Sequence, residues 1–139
     1  MRKTLHIAAA LILAHSPVVA QETGPILSVE LNAEANTEAG CLLTFLISNG
    51  HAEDIESAVF ETVLFDSSGK VERLTLFDFG ALPAGTPRVR QFQMGSLACD
   101  ALGKVLINGA STCTVAGSGS PICATSLNLI TRTDTELLG

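Results

Sequence analysis

Apolar and polar residues alternate with a period of two along most of this chain, the spacing that turns one face of a β-strand toward a core. Leu27, Val29 and Leu31 alternate with Ser28, Glu30 and Asn32, which predicts a half-buried strand. Residues 33–40 are small and polar and read as a turn. Residues 41–48 are apolar on both alternating faces, as in a central strand covered on both sides, and Asn49-Gly50 ends it with residues that tolerate positive φ. Residues 51–57 form a polar connection carrying Glu53, Asp54 and Glu56, compatible with one helical turn. The strongest local signal follows. Two alternating runs, 58–65 and 71–77, flank Asp66, Ser67, Ser68, Gly69 and Lys70, whose turn chemistry predicts a β-hairpin.

Beyond the hairpin, residues 79–87 are a Gly/Pro-rich crossing, and 88–94 form a strand. Residues 96–100 turn, 104–107 make a short strand, and 114–121, with Gly117-Ser-Gly-Ser120, read as a flexible loop. Residues 127–131 form a last strand, and the tail to Gly139 is expected to fray. No stretch has the period of an amphipathic helix, and no segment repeats. Seven or so short strands separated by polar turns predict an all-β fold, a two-layer antiparallel β-sandwich.

Residues 1–20 carry a different pattern. Arg2 and Lys3 precede an unbroken apolar run over residues 7–14, Pro17 breaks any helix, and Val18, Val19 and Ala20 supply small residues at a cleavage position. This predicts a secretory signal peptide, too short to serve as a permanent anchor. Cleavage would leave residues 21–139 as a single β-sandwich domain, periplasmic or secreted. Residue 21 is Gln rather than Cys, so no lipid anchor is expected. Loss of Arg2 and Lys3 takes the net charge from −6 to −8. Such a surface repels phosphate backbones and anionic lipid, which argues against nucleic acid and membrane partners. Trp and Tyr are absent, so the usual platforms for stacking bases or sugars are missing.

Four cysteines remain, Cys41, Cys99, Cys113 and Cys123, an even number in a small exported chain that reads as two disulfides. Metal-binding spacings such as C-x-x-C do not occur. If strand direction alternates, Cys41 opens a strand at the end where the strand before Cys99 finishes. That favours Cys41–Cys99 with Cys113–Cys123. The rival pair, Cys99–Cys113, gains if Asn108-Gly109 is a tight hairpin turn.

The residues Phe60-Glu-Thr-Val-Leu-Phe-Asp66 with Gly69, then Phe77-Asp-Phe-Gly80, Leu82-Pro83 and Arg88-Val-Arg-Gln-Phe92, resemble a family of small exported bacterial proteins labelled by a twin-arginine (Tat pathway) signal sequence. This N-terminus has the single pair Arg2-Lys3 in place of two arginines, the pattern of ordinary unfolded export. More loosely, Val63-Leu-Phe-Asp66 is similar to the signature of immunoglobulin-like FxLYD modules, with Phe65 in the Tyr position. The resemblance implies an immunoglobulin-like antiparallel β-sandwich of about seven strands and no reaction.

Candidate chemistry is sparse. His51 is the only histidine after the leader, and no G-x-S-x-G elbow accompanies it. Glu53, Asp54 and Glu56 are oxygen ligands of the kind calcium takes, without EF-hand spacing. Arg88 and Arg90 share a strand face with Phe92 and Met94, and two guanidinium forks on one face suit an anion or a partner's carboxylate. Their competing role is neutralisation by Glu61, Asp78 or Glu72. Apolar surface around Leu42, Phe45, Phe60 and Leu64 exceeds what a thin sandwich hides, which points to an envelope protein or a homodimer as partner. The expectation is a non-enzymatic binding or structural module of the bacterial cell envelope that needs no cofactor. The alternative is a small-ligand carrier or enzyme using the Arg88/Arg90 face.

Overall fold

The computed structural model describes residues 25–139; the expected leader, residues 1–20, lies outside the described residues. Nine strands follow one another: β1 (Leu27–Thr37), β2 (Gly40–Asn49), β3 (Ile55–Asp66), β4 (Val71–Leu82), β5 (Arg88–Gly95), β6 (Leu102–Val115), β7 (Ser118–Gly119), β8 (Leu127–Thr131) and β9 (Glu136–Leu138). The helical content is a 3-10 turn at Cys99–Ala101 and a single turn, α1 (Ile122–Thr125). One sheet runs β5-β2-β1-β8; the other runs β4-β3-β6-β7, with β9 beside the opposite end of β6. Two sheets packed face to face make the expected all-β sandwich. Most pairs are antiparallel, but β8 on β1 and β9 on β6 are parallel.

Inward positions of both sheets meet in one core. Leu43, Phe45 and Ile47 of β2 face Phe60 and Leu64 of β3 and Phe77 and Phe79 of β4, all fully buried. Five of the six phenylalanines touch one another there, with Phe77 and Phe92 stacked at 4.2 Å and Phe45 in tilted or edge contact with Phe77, Phe79 and Phe92. Such ring pairs add to the area they bury. The outer positions of β2, Leu42, Thr44, Leu46 and Ser48, are only half-buried, so this strand is covered on one face rather than two.

Both disulfides form as strand direction requires, Cys41–Cys99 and Cys113–Cys123. Cys41 lies opposite Met94 where β2 and β5 run antiparallel, which brings the segment after β5 back to it. The closed loops, of 58 and 10 residues, stabilise by about 4 and about 3 kcal/mol in the chain-entropy view.

Several strands run longer than alternation suggests, because bulges interrupt the period without ending the strand. β1 continues through residues 33–37, read above as a turn; the true turn is Glu38-Ala39. The register slips between Leu31 and Ala33, so Glu34, not Ala33, comes opposite Leu43. β6 covers fourteen residues where a four-residue strand was expected, with register slips around Gly103, Asn108 and Ser111. At Gly103 a side chain would meet the Asp66 carbonyl at 2.5 Å, so glycine lets β6 hug the hairpin turn. β4 extends through Leu82 into the expected crossing. Residues 114–121 are a β6–β7 hairpin rather than a flexible loop, and residues 51–53 bend without a helical turn before β3 begins.

The C-terminal tail is anchored, not frayed. β8 adds to one sheet, residues 132–135 cross over, and β9 adds to the other. Thr135 Oγ1 donates to the Leu102 carbonyl, and the Arg132 amide donates to Leu31. Arg132 Nε also donates to Glu30 at 2.8 Å, where Asn32 Nδ2 donates at 2.7 Å. Those two bonds, Arg132's first, hold the Glu30 carboxyl below its ordinary value of 4.5. A lowered folded-state value contributes stability above the ordinary one and loses it as pH falls through the folded one. Glu30→Gln is therefore expected to shrink the difference between melting temperatures at about pH 3 and about pH 7. An unchanged difference contradicts the Glu30–Arg132 coupling.

Candidate functional site

Arg88, Arg90, Glu61 and Asp78 are split between two faces. Arg88 and Arg90 sit opposite Ile47 and Phe45, on the inner side of edge strand β5. Glu61 and Asp78 lie on the outer side of the other sheet, where Glu61 accepts from Asn108 Nδ2 at 2.6 Å and Asp78 from the Gly80 amide at 2.8 Å. Neither carboxylate neutralises an arginine. Arg90 instead reaches across the open side of the sandwich and donates to Phe79 (2.8 Å) and Ala81 (3.3 Å) carbonyls of β4. Arg73 of β4 answers it, donating to the Gly95 carbonyl at the end of β5 at 2.9 Å. Arg88 donates to the Pro87 carbonyl. The two edge strands are thus laced together by guanidinium–carbonyl bonds, which cover unpaired backbone acceptors along the upper part of β4.

The acidic loop also disperses. Asp54 accepts from the Ala84 amide at 2.7 Å, Glu56 from the Gly117 amide at 3.1 Å, and Glu53 offers its carbonyl to Asn49 Nδ2. Among the described residues no three His, Cys, Asp or Glu side chains gather as metal ligands. His51, in the same loop, donates its amide to Asn49 Oδ1. A cleft of about 460 Å³ opens where the β1 slip turns Glu34 inward, lined also by Asn36, Asp100, Asp134 and Thr135. Its carboxylates are partly engaged, Glu34 accepting from Thr133 Oγ1 at 2.9 Å.

The exposed apolar surface is not where the sequence placed it. Phe45, Phe60 and Leu64 are wholly buried, and Leu42 is half-buried. The large apolar residues left in solvent are Val71, Leu74, Leu76 and Val89, exposed by 55, 64, 57 and 58%. Three of the four belong to β4. Leu74 stands opposite Val63, Val63 opposite Leu106, and Leu106 opposite Leu138, so one apolar row crosses four of this sheet's five strands. Leu76 lies beside it, opposite Glu61. The signal was present in the period-two phase of residues 71–79. Leu74 and Leu76 fall in one phase, Phe77 and Phe79 in the other, and the sandwich buries the larger rings.

Comparison with known families, curated proteins and solved structures finds no match to the chain.

Proposed function

We propose that this protein is an exported, non-enzymatic binding or structural module of the bacterial cell envelope, engaging its partner through the outer face of β4. The carrying observation is the pair Leu74 and Leu76, both more than half exposed at the rim of an apolar row that crosses the sheet. Contiguous apolar surface on a small acidic domain is costly in water and marks an interaction site. Export is supported by the two disulfides, which persist in oxidising compartments. No helix among the described residues is long and apolar enough to cross a membrane.

An immunoglobulin-like topology belongs to the same reading. Its support is connectivity: the first, second and fifth strands share one sheet, while the third, fourth, sixth and seventh share the other. Immunoglobulin-like domains distribute A, B and E against C, F and G in this way, with an added C′ strand beside C. The disulfides here lie outside the B–F position of antibody domains.

A photo-crosslinking residue tests the surface. Placed at Leu76 in native cells, it is expected to yield discrete adducts, and placed at exposed Gln91 on the opposite sheet it is expected to yield none. Absence of adducts at Leu76, or identical adducts at both positions, overturns the assignment.

A further inference from the structure

We infer that Asn108 is a self-modification site, where the backbone amide of Gly109 converts the Asn108 side chain to aspartate and isoaspartate with loss of ammonia. Two asparagines in this chain precede glycine, Asn49 and Asn108, and glycine leaves the following amide nitrogen unshielded by a side chain. The fold treats the two in opposite ways. Asn49 is 1% exposed, its Nδ2 donates to the Glu53 and Leu82 carbonyls, and its Oδ1 accepts from the His51 amide. The Gly50 amide, which would have to attack, donates to the Ile26 carbonyl at 2.8 Å. Reaction at Asn49 would have to break these bonds inside packed backbone.

Asn108 is exposed and sits at a bulge. Glu61 pairs with Gly109 and Thr62 with Ile107, so Asn108 is the extra residue and has no partner on β3. On the other side of β6, β9 pairs with residues 104–106 and β7 with residues 114–115, so no described strand flanks Asn108 or Gly109. A Cβ added at Gly109 would meet nothing within 4 Å. Among the described residues the Asn108 side chain is held by one bond, from Nδ2 to Glu61 Oε1 at 2.6 Å. The backbone here is free of the ladder that would hold the Gly109 nitrogen away from the side-chain carbonyl.

The chemistry needs only water. The Gly109 nitrogen bonds to Asn108 Cγ, the Cγ–Nδ2 bond breaks, and the leaving nitrogen takes up the proton that Gly109 gives up and departs as ammonia. Water then opens the resulting succinimide ring at one carbonyl or the other, which gives aspartate or isoaspartate. Either product replaces an amide donor by a carboxylate acceptor beside Glu61, a facing like-charge pair. Glu61 also stands opposite Leu76, so the new charge arises in the same cross-strand row as the exposed leucine. The modification is independent of what β4 engages.

Prolonged incubation of the folded protein in warm neutral buffer, followed by tryptic mapping, tests the inference. The expected result is progressive conversion of Asn108, in the peptide of residues 105–132, to both aspartate and isoaspartate, with one ammonia released per conversion. Asn49, in the peptide ending at Lys70, is expected to stay an amide in the folded protein and to convert alongside Asn108 once urea unfolds the chain. Gly109→Ala, whose Cβ crowds the attacking nitrogen and meets no neighbour, is expected to lose the conversion with its circular dichroism unchanged. Retention of the amide at residue 108 in folded protein after the unfolded chain has converted overturns the inference. So does equal conversion of Asn49 and Asn108 in folded protein, or conversion that persists undiminished in Gly109→Ala.

Discussion

Phe77→Ala is expected to lower stability by about 4 kcal/mol and the melting temperature by roughly 15 °C. Phe77 is fully buried, stacks on Phe92 at 4.2 Å and meets Phe45 at 5.5 Å. Removing its ring opens a cavity between the two sheets that the surrounding rings cannot fill by local movement. The adjacent change Leu76→Ala, in dilute monomeric protein, is expected to cost less than about 0.5 kcal/mol, because that side chain is 57% exposed. Thermal or urea melts of the two variants read the phase of β4 directly. Equal losses would mean that β4 does not present one face to the core.

The disulfides carry the second large effect. Replacing Cys41 and Cys99 by serine together is expected to cost about 4 kcal/mol, and replacing Cys113 and Cys123 about 3 kcal/mol, from the lengths of the loops they close. Cys41 and Cys123 are both wholly buried, so serine at either also carries a hydroxyl into the core and both losses represent lower bounds. Urea melts of the two double variants at equal protein concentration should rank them in that order. A larger loss at Cys113–Cys123 would mean that native packing around α1, rather than loop length, dominates.

Much of this fold was legible in the sequence where local chemistry speaks without help. The hairpin at Asp66 was plain because Asp66 Oδ1 accepts from the Ser68 and Lys70 amides while Gly69 takes a φ of 86°. The cysteine pairing followed from strand direction, a global constraint readable from element order alone. What escaped detection depended on register. The slip near Asn32 reverses which residues of β1 face inward, so the alternation breaks there and residues 33–37 read as a turn although they continue the strand. Asn108-Gly109 looks like a strand end, yet β6 passes through it with one residue bulged out against β3. β8 was legible as a strand over residues 127–131, but its parallel pairing with β1, and β9 with its place beside β6, lie at sheet edges distant in sequence that no local pattern announces.

The arginines teach a related lesson about site prediction. Alternation correctly put Arg88 and Arg90 on one face with Phe92 and Met94, the inner face. At an edge strand, however, an inward arginine has the opposite sheet's open backbone within reach, and Arg90 takes carbonyls rather than carboxylates as its acceptors. The leucines of β4 were hidden for a simpler reason. A strand with apolar residues in both phases does not declare which phase is buried until the rings across the core claim their space.

A tryptic map of unreduced protein recovered from its own compartment puts the central claim, a two-sheet body closed by Cys41–Cys99 and Cys113–Cys123, to its most direct test. Cleavage after Lys70, Arg90, Lys104 and Arg132 separates the cysteines into three peptides. The account predicts that the peptide ending at Lys70 is bonded to residues 91–104, while residues 105–132 carry an internal bond. Free thiols, or a bond joining residues 91–104 to 105–132, would contradict it.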